Sequence, residues 1–441
     1  MRRALPLALC ALVLVPLGFT ASVARAQTPA VWQDQAVRDE IADRVPKDLR
    51  GFYAARGNRP LWADRPAAAL VLLRQLESAE LDGADPRKLK PRDLAKAFER
   101  AERGDPEDLA KAEIVASRSF VRYVQTMRQA PRGAMAYESE ALAPVVPTAS
   151  AALAAAAAAP SLDDYVRAMG WMHPLYAPLR AALGNGYYGD AQRRQLALNL
   201  ERVRALPAFA AGRHLLIDAA GARLWMYEGP RVVDSMKVVV GKPATQTPVM
   251  AGFVRQAVVN PYWNLPDDLM PSRVTDKVLA EGPGYLARHR MQVLSSWDEG
   301  APVLDPRKVD WRAVAAGRRT IRARQLPGAD NFMGRVKFTF PNPQGIYLHD
   351  TPERDLLTKP ARQFSNGCVR LEDAGRLYRW LMGTPLPRDT KTPEREVALP
   401  ELVPIYITYL TAMPENGRIA FRPDVYGRDG PGFAGSAQLA R

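Results

Sequence analysis

The residues able to do chemistry gather in two short stretches. Tyr347-Leu348-His349-Asp350 is followed, nineteen residues after the histidine, by Ser365-Asn366-Gly367-Cys368-Val369-Arg370. The sequence has only two cysteines and four histidines, so one of each beside an arginine carries information. A cysteine attacks a carbonyl as its thiolate, and its pKa must fall from about 8.5 for that to happen near neutrality. Three local features push that way. His349, at the end of an expected strand, could hold the proton as imidazolium. A helix expected from near Leu371, with Glu372 and Asp373 in its first turn, would place its N-terminus beside the sulfur, worth roughly 0.3–1 kcal/mol. Arg370 adds a fixed positive charge, or could instead hold a substrate carboxylate. Gly367 leaves room beside the sulfur, so N–H groups around 366–368 could serve as an oxyanion hole. Taken singly, a cysteine is usually a small buried hydrophobe and a histidine usually structural. The combination is far more specific to acyl transfer. Zinc is a poor fit, because one retained cysteine and four scattered histidines make no ligand set.

Such groups need elements to position them. A length of 441 residues with 47% hydrophobic content supports two or three cored domains. Residues 1–26 read as an export signal: Arg2 and Arg3, an apolar run from Ala4 to Thr20, then Ala24-Arg25-Ala26 before Gln27. Lipidation at Cys10 is discounted, because Leu9 stands where a small residue is expected. Signal removal leaves Cys368 as the remaining cysteine, so no intramolecular disulfide is expected although the export signal implies an oxidising destination, the periplasm. Loss of Arg2, Arg3 and Arg25 takes the formal charge from +14 to about +11. A basic exported protein suits polyanionic surroundings such as cell wall or lipid headgroups. Export and the lack of a recognisable motif argue against nucleic acid, and a solvated basic surface is the plain alternative. No later segment is long and apolar enough to span a bilayer, so no stable span is expected after signal cleavage.

The expected fold class is α+β. Residues 36–208 read as a helical domain, with Leu49, Phe52 and Tyr53, then Leu70, Leu73 and Leu76, at helical spacing. The alanine run 149–159 is read as helix rather than linker. From about 212 to 430 the texture is β-rich. Strands are expected at His214–Ile217, Arg223–Tyr227, Val232–Val240, Phe253–Val259, Arg335–Phe340, Ile346–Leu348 and Val403–Leu410. The Pro- and charge-rich excursion at about 267–333 reads as a lid or substrate-binding insertion.

His349-Asp350 followed by Ser365-Asn-Gly-Cys-Val-Arg370 resembles the signature of the L,D-transpeptidase (YkuD-type) catalytic domain. Gly241-Lys-Pro with Thr247-Pro248, Asn260-Pro-Tyr-Trp-Asn-Leu-Pro266, Gly334-Arg-Val-Lys-Phe338 and Phe421-Arg-Pro-Asp-Val-Tyr426 are similar to its long Gram-negative, YcbB-like branch. Phe52-Tyr-Ala-Ala-Arg56 with Pro60-Leu-Trp62 is similar to that branch's helical scaffold. The resemblance implies a helical scaffold domain followed by a β-sandwich-like catalytic domain with an inserted capping subdomain. One departure is the short interval from Tyr176 to His214, which leaves no room for the peptidoglycan-binding module often found there. The implied reaction is transfer between peptidoglycan stem peptides. Cys368 would be the nucleophile and His349 the base, with Gly367 in the oxyanion hole. Arg370, Ser365, Asn366, Tyr347, Trp263 and Asp350 would hold the stem or brace the site. Trp263 and Tyr347 read equally well as core packing, and a backbone carbonyl at the Asp350 position commonly orients the histidine in the family. No cofactor is implied. Carbapenem-type inhibitors and peptidoglycan synthases are the further partners expected.

Three other readings bear on the same residues, and the first of them stays open at the level of sequence. Water replacing the acceptor amine would give an L,D-carboxypeptidase, amidase or endopeptidase through the same acyl-enzyme. A non-catalytic wall-binding scaffold would have no use for an intact His349–Cys368–Arg370 set. A sortase also uses His, Cys and Arg, but needs a Thr-Leu-x-Thr-Cys strand that Phe364-Ser-Asn-Gly-Cys368 does not match.

Overall fold

The computed structural model describes residues 34–208, 212–388 and 392–430, and the expected signal segment lies outside them. Its first half is helical, from Gln35–Arg44 to Asp190–Val203. Helix starts are set by side chains that accept the otherwise orphaned first N–H groups: Asp34, Asp105, Thr148 and Ser161 each cap one. The alanine run forms a helix, Ala149–Ala158, behind Thr148. The 23-residue helix Pro106–Arg128 runs through this domain and buries Ala116, Phe120, Val124 and Met127. Its Glu113 is fully buried, yet accepts hydrogen bonds from the Tyr53 hydroxyl at 2.5 Å and from Leu61, Trp62 and Ala63 N–H at 2.7–2.9 Å. A carboxylate satisfied in this way ties a loop to the helix without water.

The second half is built on a sheet that closes on itself. Its order runs Met250–Val259, Val336–Thr339, Leu348–His349, Val369–Leu371, Arg231–Gly241, Arg223–Glu228, Arg213–Asp218 and Arg395–Thr408. The last strand pairs both with Arg213–Asp218 and with Met250–Val259, which completes the circuit. Alternation along the strands sorts the two faces. Leu215, Ile217, Leu224 and Met226 fill the catalytic-domain core, while Leu216, Trp225 and Tyr227 join the core of the helical domain. The two halves are stitched further by Ala136–Tyr137, which pairs in parallel with Met250–Ala251, and by the Tyr406 hydroxyl donating to Leu142 O at 3.0 Å.

The segment expected as a lid connects two antiparallel neighbours, Met250–Val259 and Val336–Thr339. Its strands Arg322–Gln325, Met291–Leu294 and Val303–Leu304 join Trp263–Asn264, just ahead of the expected start, in a four-stranded sheet. Leu265, Val274, Leu286, Val293, Ile321 and Ala323 give it a core of its own. One local expectation is corrected. The residues after Cys368 form a strand, Val369–Leu371, and the helix starts later, at Ala374, capped by Asp373. Val369 and Leu371 are fully buried in the sheet core, and that burial decides the backbone conformation. Among the described residues, no helix is long and apolar enough to cross a membrane.

Candidate active site

The histidine and cysteine segments are adjacent parallel strands, with Leu348 opposite Val369 and His349 opposite Arg370. The same register sets Tyr347 beside Cys368, and Val369 N–H donates to Tyr347 O at 3.1 Å. Side chains two apart on a strand share a face. Leu348 and Val369 point into the core, so Tyr347, His349, Cys368 and Arg370 form a two-by-two array on the opposite face. On ideal strand spacings, His349 and Cys368 are diagonal neighbours about 8 Å apart at Cα, within side-chain reach.

The turn before the sulfur is held from below. Ser365 Oγ donates to Cys368 O at 2.6 Å and accepts Gly367 N–H at 3.1 Å. Thr247 Oγ1 donates to Gly367 O at 2.7 Å and accepts Gly241 N–H at 2.8 Å. Gly367 has φ +116°, and a Cβ there would come within 3.0 Å of Ile346 Cδ1. Only glycine fits both demands. Because the Gly367 N–H is taken by Ser365, its expected place in an oxyanion hole is corrected; the neighbouring Cys368 N–H has no such partner among the described residues.

Burial sets the electrostatics. It pushes the Cys368 thiol above its ordinary value, against the Tyr347 N–H and hydroxyl and the Arg370 charge, which favour the thiolate. His349 is 2% exposed and pushed down to about 3, by burial first and then by Arg370. Its Nδ1 bonds to the Asp350 carbonyl at 2.6 Å, and that carbonyl and the one of Phe332 favour a proton on the ring. The resting pair is therefore thiol and neutral imidazole, which corrects the imidazolium–thiolate expectation. Among the described residues no hydrogen bond joins ring and sulfur; Sγ contacts Gly345 O at 3.7 Å.

These groups floor a cleft of about 250 Å³ whose other wall is the insertion, through Trp263, Pro266, Asp268, Leu269, Phe332 and Met333. Trp263 is buried and packs on Phe332, with ring centroids 4.4 Å apart. Tyr347 sits edge-on to His349, its ring centroid 5.9 Å away. Asn366 lines the cleft and is exposed. Asp350 is the one expected site residue turned elsewhere. Its carboxylate accepts Arg335 N–H at 2.9 Å and pairs with Arg354 at 2.5 Å, so its backbone, not its acid, orients His349. Arg370 lines the cleft but is paired with Glu353, a residue that sequence reasoning missed. Phe332, Met333 and Gln344 were missed too, because nothing local distinguishes a cleft wall from a loop. Among the described residues, no group of acidic, histidine or cysteine side chains could hold a metal.

Both halves of the chain match known protein domains. Residues 212–395 match the L,D-transpeptidase catalytic domain (YkuD), and residues 47–183 match a Scaffold domain. A Haemophilus influenzae protein named "Putative L,D-transpeptidase" is 32% identical over 243 residues, which cover 54% of this chain and 48% of that protein. The chain thus spans about half the length of the curated relative it matches. An L,D-transpeptidase from Mycobacterium smegmatis has 13% identity over 45% of this chain and 59% of its own, with a TM-score of 0.23. An LD transpeptidase in complex with imipenem has 12% identity over 45% and 60%, with the same TM-score of 0.23. Overlaps that small add no weight; the domain matches do. This chain carries a YkuD-type L,D-transpeptidase catalytic domain behind a Scaffold domain.

Proposed function

We propose that the chain is a peptidoglycan L,D-transpeptidase, a cysteine acyltransferase exported to the periplasm. The observation that supports this most is the array itself: Cys368, His349, Tyr347 and Arg370 on one face, under a separate subdomain that walls the cleft. Cys368 Sγ attacks the carbonyl carbon of the amide between the third residue of a donor tetrapeptide stem and its terminal D-alanine. The thiol proton passes to His349, and the oxyanion is met by the Cys368 N–H. Collapse breaks the C–N bond, His349 returns the proton to the departing D-alanine amine, and a thioester remains. The side-chain amine of the third residue on a neighbouring stem then gives its proton to His349 and attacks the thioester. The thiolate leaves and recovers that proton.

Because the pair rests uncharged, proton transfer accompanies attack. Asp350 O, at 2.6 Å from Nδ1, fixes the ring so that Nε2 handles the proton. The carbonyls of Asp350 and Phe332 stabilise the transient imidazolium. A carbapenem, whose strained cyclic amide offers the same electrophile, would acylate the same sulfur. Peptidoglycan synthases, which act on the same polymer, are candidate partners.

The test is intact-protein mass spectrometry with a purified disaccharide tetrapeptide, followed by chromatography of the products. Expected are an acyl adduct at Cys368, release of D-alanine and a cross-linked dimer, all lost in Cys368→Ala. Adduct and tripeptide without dimer would assign an L,D-carboxypeptidase instead. Dimer formation by Cys368→Ala would remove the cysteine from the chemistry.

A further inference from the structure

Arg370 is the charged member of the array, and its partner is an acid that the reaction above does not use. The arginine side chain is 14% exposed and lines the cleft two residues from the nucleophile. Its Nη1 donates to Glu353 Oε2. Glu353 stands just before the short helical segment Arg354–Thr358 and its side chain is 41% exposed. The neighbouring acids have other duties: Asp350 pairs with Arg354, and Glu372 accepts Lys237 N–H at 2.9 Å. A mostly buried guanidinium needs a counter-charge at all times, whereas a carboxylate that far into solvent loses little when released. The contact uses one nitrogen of a five-donor fork, which leaves the bidentate edge open to a second carboxylate.

We infer that Glu353 is a displaceable stand-in for a substrate carboxylate. It keeps Arg370 paired between turnovers and yields the guanidinium to an acid group on the donor stem. This rests on the transpeptidase reading and deepens it, by making Glu353 and Arg370 the determinants of selectivity for a donor with a free carboxylate near the scissile amide. Two donor groups have that chemistry: the α-carboxylate of the terminal D-alanine and the free side-chain carboxylate of the third residue. Glu353 is a competitor in this scheme and never touches the reacting atoms.

The experiment measures kcat and KM of wild type and Glu353→Gln on three donors: the free tetrapeptide, its C-terminal amide, and the amide of its third-residue side-chain carboxyl. Removing an exposed competing partner should lower KM for the free donor by up to about fivefold with kcat unchanged. Wild type should turn over one of the two amides with a raised KM, and on that amide alone the gain from Glu353→Gln should vanish. That amide identifies the carboxylate Arg370 reads. Glu353→Ala should reproduce the pattern, and an unchanged far-ultraviolet circular dichroism spectrum at the assay temperature separates it from misfolding. A KM that stays the same or rises for the free donor in both variants overturns the inference, as does an equal change on all three donors. If wild type forms no acyl adduct with any donor, the transpeptidase reading itself falls and takes this inference with it.

Discussion

Tyr347 and Cys368 are lateral neighbours on parallel strands, and the tyrosine meets the sulfur with both its N–H and its hydroxyl. His349 is the diagonal neighbour, with its ring held to Asp350 O at 2.6 Å. Beside Gly345 O, at 3.7 Å, the sulfur thus has a phenol for company, whose own ionisation is pushed far up by burial and then by the sulfur. A phenol that stays protonated is a donor throughout the working pH range. Tyr347→Phe should slow Cys368 acylation roughly tenfold, the scale of one hydrogen bond to a charged acceptor. Single-turnover adduct formation followed by mass spectrometry measures it, and an unchanged rate would show the hydroxyl to be a bystander.

The protonation states predict a pH profile in the absence of substrate. Burial raises the Cys368 thiol above its ordinary value, and His349, at about 3, carries no charge near neutrality to oppose this. Alkylation by iodoacetamide should therefore climb with pH and reach its midpoint above the usual value of about 8.5. No step should appear near 6.5, where an imidazolium–thiolate pair would reveal itself. A midpoint between about 5 and 7 would restore the resting ion pair.

How much of this could be seen in the sequence depends on which force decided each element. His349, Cys368 and Arg370 were legible as a group because these scarce residue types lie in two short runs close together in the chain. The conformation after Cys368 was not. Leu371, Leu377 and Leu381 fit a helical stripe, but Leu371 is committed to the sheet core, which local pattern cannot reveal. The long strand Arg395–Thr408 was expected to start only at Val403. In the fold its pairing shifts register between Ala398 and Val403, a bulge that accommodates Pro400. Glu353 stayed hidden because its partner comes from a strand seventeen residues further along the chain.

Acid should loosen the fold through three histidines. His173, His214 and His349 are each at most 2% exposed and each is pushed down to about 3, chiefly by burial. Unfolded, each would bind a proton below about 6.5. Between about 6.5 and 3 the unfolded chain thus holds more protons than the folded one, so stability rises with pH and is lost as pH falls. The slope is about 1.4 kcal/mol per pH unit for each histidine at most. His173 and His214 lie between the helical domain and the sheet, with ring centroids 6.1 Å apart. Urea unfolding at about pH 7.5 and about pH 5 should show this loss, and less of it in His214→Phe. Equal losses in both proteins would place the acid sensitivity elsewhere.

The cysteine turn offers the sharpest separation of stability from chemistry. Ser365 is buried, and its hydroxyl serves two backbone groups, Gly367 N–H at 3.1 Å and Cys368 O at 2.6 Å. Ser365→Ala leaves both unmet, which costs about 1–3 kcal/mol of stability. It also frees the turn that aims the sulfur, so acylation should fall well beyond what the lost stability explains. Gly367→Ala adds a Cβ at φ +116° against Ile346, and the backbone must move to relieve it. Cys368→Ala, by contrast, removes little volume and should melt within a few degrees of wild type while losing all acyl transfer. Calorimetry beside single-turnover acylation ranks the three. If Ser365→Ala kept the wild-type acylation rate at reduced stability, the hydroxyl would hold the fold together without aiming the nucleophile.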